Sequence, residues 1–309
     1  MPDYVRPNLF LAGTPKAATT SLSEWLAQHP QIHMSPFKEP WFFNDDRSTS
    51  RYVGKRKAYM QLFPHSEGVE WYCEATPDYL YSPNALERIE AFSENAKYLI
   101  SFRRHSEAFF SLHQQERWFN LEDIEDPAEA LAACADRRAA AKRKGRPVMK
   151  SLYYDERLRI GAQLFRALEF VERADILLID FDLVSTDPDR LWRAMLSFLG
   201  LDYTPVTFNR AKARKVIATG PMATGLRWGK RLKNTLGIRG KTEWAHQLRL
   251  RLSPVDAAPP RLNPALGQSI ETRFRYDRQL VEAFARMGPA IVSDTFYTKD
   301  GIAGGDSAL

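Results

Sequence analysis

The chain has only two cysteines in 309 residues, Cys73 and Cys134, far apart and with no CxxC pair or Cys/His cluster beside either. Their spacing argues against a disulfide-stapled framework and a zinc site, and it fits a reduced, cytoplasmic setting. No stretch approaches the roughly eighteen consecutive apolar residues that crossing a bilayer requires. The opening Met1-Pro2-Asp3-Tyr4-Val5-Arg6 also lacks the basic-then-apolar layout of a secretory leader. The expectation is a chain with no integral membrane segment. Internal repeats and evident linkers are missing as well. Residues 1–309 therefore read as a single domain, with a core over about 8–200, a helical basic region over about 201–300 and a flexible tail at 301–309.

A hydrophobic content of 44% is ample for an α/β core, and the net charge of +6 favours anionic ligands without choosing among them. Asn8-Leu9-Phe10-Leu11-Ala12 is a short apolar run entering Gly13-Thr14-Pro15, the pattern of a buried strand running into a tight loop. A helix is predicted from Thr19 to His29, where Leu22, Trp25 and Leu26 recur at helical spacing before Pro30. Buried strands are also predicted over 70–74, 98–102 and 176–181. Helices are predicted from Ser106 to Phe119 and after Asp187-Pro188, where a capping Asp and a first-turn Pro lead to Gly200 at the end. Strands alternating with helices predict an α/β fold, a central parallel sheet of about five strands flanked by helices. Pro127 to Arg146 reads as one exposed Ala-rich helix ending in a basic loop. The basic stretch from Arg210 to Arg251 has poor periodicity and is taken as a cover or lid.

Gly13-Thr14-Pro15-Lys16-Ala17-Ala18-Thr19-Thr20 joins a predicted strand to a predicted helix, the setting in which free helix N-terminal amides receive a phosphate. Against the Walker pattern GxxxxGK[ST], Gly13 fits, but Ala18 stands at the second Gly and Thr19 at the Lys. A nucleoside-triphosphate reading fails there. Lys16 comes earlier, where its ammonium reaches the outer part of a phosphate-like chain, with Thr19 and Thr20 supplying further donors.

Thr14 to Leu22 resembles the 5′-phosphosulfate-binding loop of the sulfotransferase family, with Ala18 where Gly is commoner. The resemblance implies a P-loop-like fold and 3′-phosphoadenosine 5′-phosphosulfate as donor. It further implies that Pro15, Lys16, Ala17, Ala18, Thr19, Thr20 and Ser21 hold that donor and that no metal is required. Lys16 would stabilise charge on the leaving phosphate.

Lys38-Glu39-Pro40-Trp41-Phe42-Phe43 resembles the KEPxFF segment of carbohydrate-type and bacterial members. It makes Glu39 the candidate base that deprotonates the acceptor and Lys38 a group that orients Glu39 or the sulfuryl group. A carboxylate among aromatics is open to tuning by desolvation, whereas none of the six histidines stands in a supporting motif. Arg103 ends a predicted strand and Ser111 lies one to two turns into the following helix, so both can converge on one anion. They match the ends of the family's 3′-phosphate pattern R-D-P-x-x-R-x-x-S, while Arg104, His105 and Ala108 depart from its middle. Residues 74–80, 150–154 and 178–201 resemble further family segments, with Ala75 where some members carry a catalytic Lys.

The function implied is sulfuryl transfer to a hydroxyl or amine of a carbohydrate, lipid or small-molecule acceptor, with no nucleic acid as partner. A P-loop nucleotide kinase and a non-catalytic binder of anionic glycans are the alternatives.

Overall fold

The computed structural model describes residues 4–44, 53–119, 121–144, 150–209 and 261–297. The basic stretch 210–251 and the tail 301–309 lie outside the described residues.

One six-stranded sheet organises the chain. Its strands are β1 (Leu9–Gly13), β2 (Ile32–Met34), β3 (Trp71–Ala75), β4 (Lys97–Phe102), β5 (Ile176–Asp180) and β6 (Ala290–Ile291). They lie in the order β2-β3-β1-β4-β5-β6, and every pairing is parallel. The four strands anticipated from apolar runs are all present, within a residue of the expected ends. The two edge strands, Ile32-His33-Met34 and Ala290-Ile291, are too short to carry a pattern of their own.

Parallel sheets need cover on both faces, and the strand side chains alternate between two cores accordingly. Leu9, Leu11, Leu99, Leu177 and Ile179 pack against Leu22, Trp25 and Leu26 of α1 (Thr19–Leu26) and against Leu191, Trp192, Met195 and Leu196 of α10 (Pro188–Leu199). Phe10, Ala12, Tyr98, Ile100 and Leu178 face the other way. There they meet α2 (Arg56–Met60), α3 (Ala85–Glu90), α8 (Ile160–Ala167) and α12 (Arg275–Arg286) through Tyr59, Ile89, Leu164, Val281 and Phe284. A third cluster joins α4 (His105–Trp118), α5 (Pro127–Ala132), α7 (Tyr154–Arg157) and α11 (Pro264–Arg273) through Phe109, Leu112, Leu131, Tyr154 and Ile270.

The single exposed helix expected over 127–146 is instead two, α5 and α6 (Cys134–Lys144). Ala130, Leu131 and Cys134 are buried against α4 rather than exposed. Asp126 caps α5 by accepting from Glu129 N–H at 2.9 Å, with Pro127 at its first position. Asp187 caps α10 in the same way, and Gly200 ends it in the left-handed region at φ 71°, as expected. Between β5 and α10 runs the short α9 (Leu183–Thr186). Both cysteines are buried and free. No helix among the described residues is long and apolar enough to cross a membrane.

β1 lies between β3 and β4, so the connections from its neighbours diverge on either side of its carboxyl end. That divergence opens the crevice in which doubly wound sheets hold their ligands. The segment that leaves β1 into it is the loop containing Lys16.

Candidate active site

The loop from Thr14 to Ala18 is tied to the end of β4. Thr14 donates to Ser101 O through both its amide and its hydroxyl, each at 2.9 Å. The Ser101 hydroxyl in turn donates to Ala17 O. Lys16 (φ 69°) and Ala18 (φ 61°) adopt left-handed backbone, a conformation costly to residues with a Cβ and concentrated at functional loops. Ala18 is also the N-cap of α1, and no side chain caps that helix. The first-turn amides of α1 have no intrahelical acceptor, so the helix offers its positive end to an anion. Thr19 and Ser21 are buried there, Thr20 is exposed, and Pro15 is half-buried.

Lys16 Nζ donates to Gln115 Oε1 at 3.1 Å. Its ammonium is held below its ordinary pKa, first by burial and then by repulsion from Arg103 and Lys38, with Glu39 and Glu116 opposing. A half-desolvated cation of this kind gains most when an anion arrives.

The Lys38-Glu39 segment is carried to the same place by β3. Glu39 N–H donates to Ala75 O, the last residue of that strand, at 3.1 Å. Glu39 (φ 59°) and Trp41 (φ 53°) are both left-handed, so a tight turn on either side of Pro40 presents them at the strand end. Lys38 Nζ donates to Thr20 Oγ1 on α1. Burial lowers its pKa too, against the pull of Glu39 and Glu24. Lys38 thus brings a second ammonium to the start of α1 beside Lys16.

Arg103 follows β4. Its Nη1 donates to Lys16 O at 3.2 Å, its Nε and Nη2 donate to Glu107 Oε2 at 3.0 and 2.9 Å, and its guanidinium lies 4.3 Å from the Phe181 ring centre. On α4, Glu107, Ser111 and Gln115 share one stripe at four-residue spacing. Glu107 holds Arg103 and Gln115 holds Lys16, so Ser111 sits one turn from each. All the residues expected to hold the donor thus fall at one end of the sheet, around the start of α1.

A solved structure of a sulfotransferase from Alicyclobacillus acidocaldarius superposes on this chain with a TM-score of 0.59 and 26% sequence identity, covering 78% of this chain and 99% of that one. Over most of its length the chain is similar in fold and sequence to the sulfotransferase family. A curated relative in this family, the membrane-associated sulfotransferase kil1 of Dictyostelium discoideum, is 35% identical over 100 residues. That match takes in 31% of this chain and 20% of the relative's length. A mouse sulfotransferase, SULT7A1 complexed with PAP, aligns at a TM-score of 0.44 and 13% identity, too distant to bear on the site. No family model matches the chain.

Gln115, Glu107, Glu116 and Ser101 are the members of the site that sequence reading missed. Gln115 carried one usable signal, its position four residues after Ser111. The contacts of Glu107 and Ser101 depend on how α4 and β4 dock against the loop, and no local pattern announces that.

Proposed function

We propose that the chain transfers a sulfuryl group from 3′-phosphoadenosine 5′-phosphosulfate to a hydroxyl or amine of a carbohydrate, lipid or small-molecule acceptor. One observation carries this reading: two half-buried ammonium groups, a guanidinium and an uncapped helix N-terminus converge beside a carboxylate at a single sheet end. That donor set suits an extended anion whose outer group is to be moved, and the carboxylate suits the removal of a proton from whatever attacks it.

Glu39 accepts the proton of the acceptor as the new bond from acceptor oxygen or nitrogen to sulfur forms. The bond from sulfur to the phosphate oxygen breaks, and its electron pair leaves with adenosine 3′,5′-bisphosphate. Lys16, with Thr19 and Thr20, neutralises the charge that grows on that phosphate. Lys38, resting on Thr20, covers the sulfuryl side in place of a lysine at position 75. Arg103 and Ser111 hold the 3′-phosphate, Arg103 turning from Glu107 and the Lys16 carbonyl towards it. Positioning and charge neutralisation supply most of the rate, as they do in phosphoryl transfer. A reducing, cytoplasmic compartment suits the two buried free cysteines.

Incubation with sulfur-labelled donor and a panel of sugar, lipid and small-molecule acceptors tests the reading. Labelled product is expected from the wild type, and a loss of orders of magnitude in Lys16→Ala. Glu39→Gln is expected to lose transfer while keeping donor affinity. Binding of ATP with magnesium, with neither transfer nor affinity for adenosine 3′,5′-bisphosphate, would replace the proposal with a kinase reading. Acceptor binding without any transfer would point to a glycan binder.

A further inference from the structure

His105 stands where the family's 3′-phosphate pattern has proline, and its side chain is wholly buried. It begins α4, two residues after Arg103. Its ring stacks on Phe274, with centroids 5.3 Å apart and planes 6° apart, and meets Phe102 edge-on at 5.5 Å. Nε2 lies 3.0 Å from Asp277 Oδ2. A carboxylate only accepts, so the imidazole donates.

Asp277 is occupied on every side. Besides His105, it accepts from Gly161 N–H at 2.9 Å and Ala162 N–H at 3.1 Å, the opening amides of α8. The next residue of α4 is held in a matching way: Glu271 Oε1 accepts from Ser106 N–H at 2.8 Å and from the Ser106 hydroxyl at 2.5 Å, while Glu271 Oε2 lies 3.8 Å from His105 Nδ1. Two carboxylates of the C-terminal helix pair, one on α11 and one on α12, thus grip the first two residues of α4. From the opposite side, Arg103 is fixed to that same first turn through Glu107 and reaches across to the Lys16 carbonyl.

We propose that His105 is a positioning residue of the donor site, bonded to Asp277 so that the C-terminal helix pair sets the start of α4 and with it the place of Arg103. The inference rests on the donor reading above, because Arg103 matters here as the group that receives the 3′-phosphate.

His105→Pro removes the imidazole without opposing the helix. The first helical position favours proline, and Arg104 already has the extended backbone (φ −47°, ψ 137°) that a following proline requires. Asp277→Asn breaks the clamp from its other end, and His105→Gln retains an amide N–H able to donate to Asp277. The readout is calorimetric affinity for adenosine 3′,5′-bisphosphate divided by affinity for adenosine 5′-phosphate, measured well below the unfolding temperature of each variant.

His105→Pro and Asp277→Asn are expected to lower that ratio about tenfold, the scale of one impaired charge-assisted contact, and His105→Gln to restore most of it. An unchanged ratio, or equal loss for both nucleotides, leaves His105 a purely structural residue and overturns the inference alone. If His105→Pro does not fold, Asp277→Asn decides by the same ratio. Wild-type protein that binds neither nucleotide overturns the donor reading, and this inference with it.

Discussion

Glu74 offers a direct test of how burial and hydrogen bonding compete beneath the site. It is the penultimate residue of β3 and has no exposed surface. The Thr76 hydroxyl donates to it at 2.6 Å, and the Tyr59 hydroxyl donates to its other oxygen. Desolvation nonetheless outweighs the hydroxyls of Thr76, Tyr59 and Tyr79, and its pKa is raised from 4.5 to about 7. The folded state therefore binds this proton more tightly than the unfolded chain does. Its contribution to stability is fully present below pH 4.5, falls as pH rises towards 7, and above that leaves a penalty of roughly 3 kcal/mol. Glu74→Gln keeps the shape and a hydrogen-bonding amide but cannot ionise. Relative to wild type, the variant should gain about 2.5 kcal/mol between pH 5 and pH 8. Urea denaturation of both proteins at the two pH values measures this. A difference that stays flat or shrinks over that range would refute the claim that a buried carboxylate titrates here.

Ala18→Gly should stabilise the protein by about 0.5 to 1 kcal/mol, because it removes a Cβ from left-handed backbone at a cost in chain entropy smaller than the relief; a lower melting temperature would contradict this. Gly161→Ala should destabilise by about 1 to 3 kcal/mol. Its Cβ would lie 2.4 Å from Asp277 O and 2.6 Å from Leu280 Cβ where α8 and α12 touch, whereas Gly54→Ala, with nothing within 4 Å, should be near neutral. Thermal melts of the two variants side by side test the contrast.

The readable parts of this chain were those governed by local physics. β1, β4 and β5 are continuous apolar runs because both of their faces are covered, and the loop at Lys16 announces itself by its place between strand and helix. Ala18 was visible as a departure from glycine, and its left-handed backbone now explains why glycine is the commoner residue there. Three features were not legible for reasons of scale. β2 and β6 take their strand character from their neighbours. The break between α5 and α6 has no Gly or Pro to mark it. The Lys16–Gln115 and Arg103–Lys16 contacts join residues 99 and 87 positions apart, so only tertiary docking creates them. The clamp between His105 and Asp277, 172 positions apart, belongs to the same class.

The most direct measurement of the donor assignment is calorimetric titration of the protein and of Lys16→Ala with adenosine 3′,5′-bisphosphate, with and without magnesium. One-site micromolar binding that is indifferent to magnesium and at least tenfold weaker in Lys16→Ala is expected, on the scale of a lost charge-assisted contact. No binding, or binding that Lys16→Ala leaves unchanged, would contradict it.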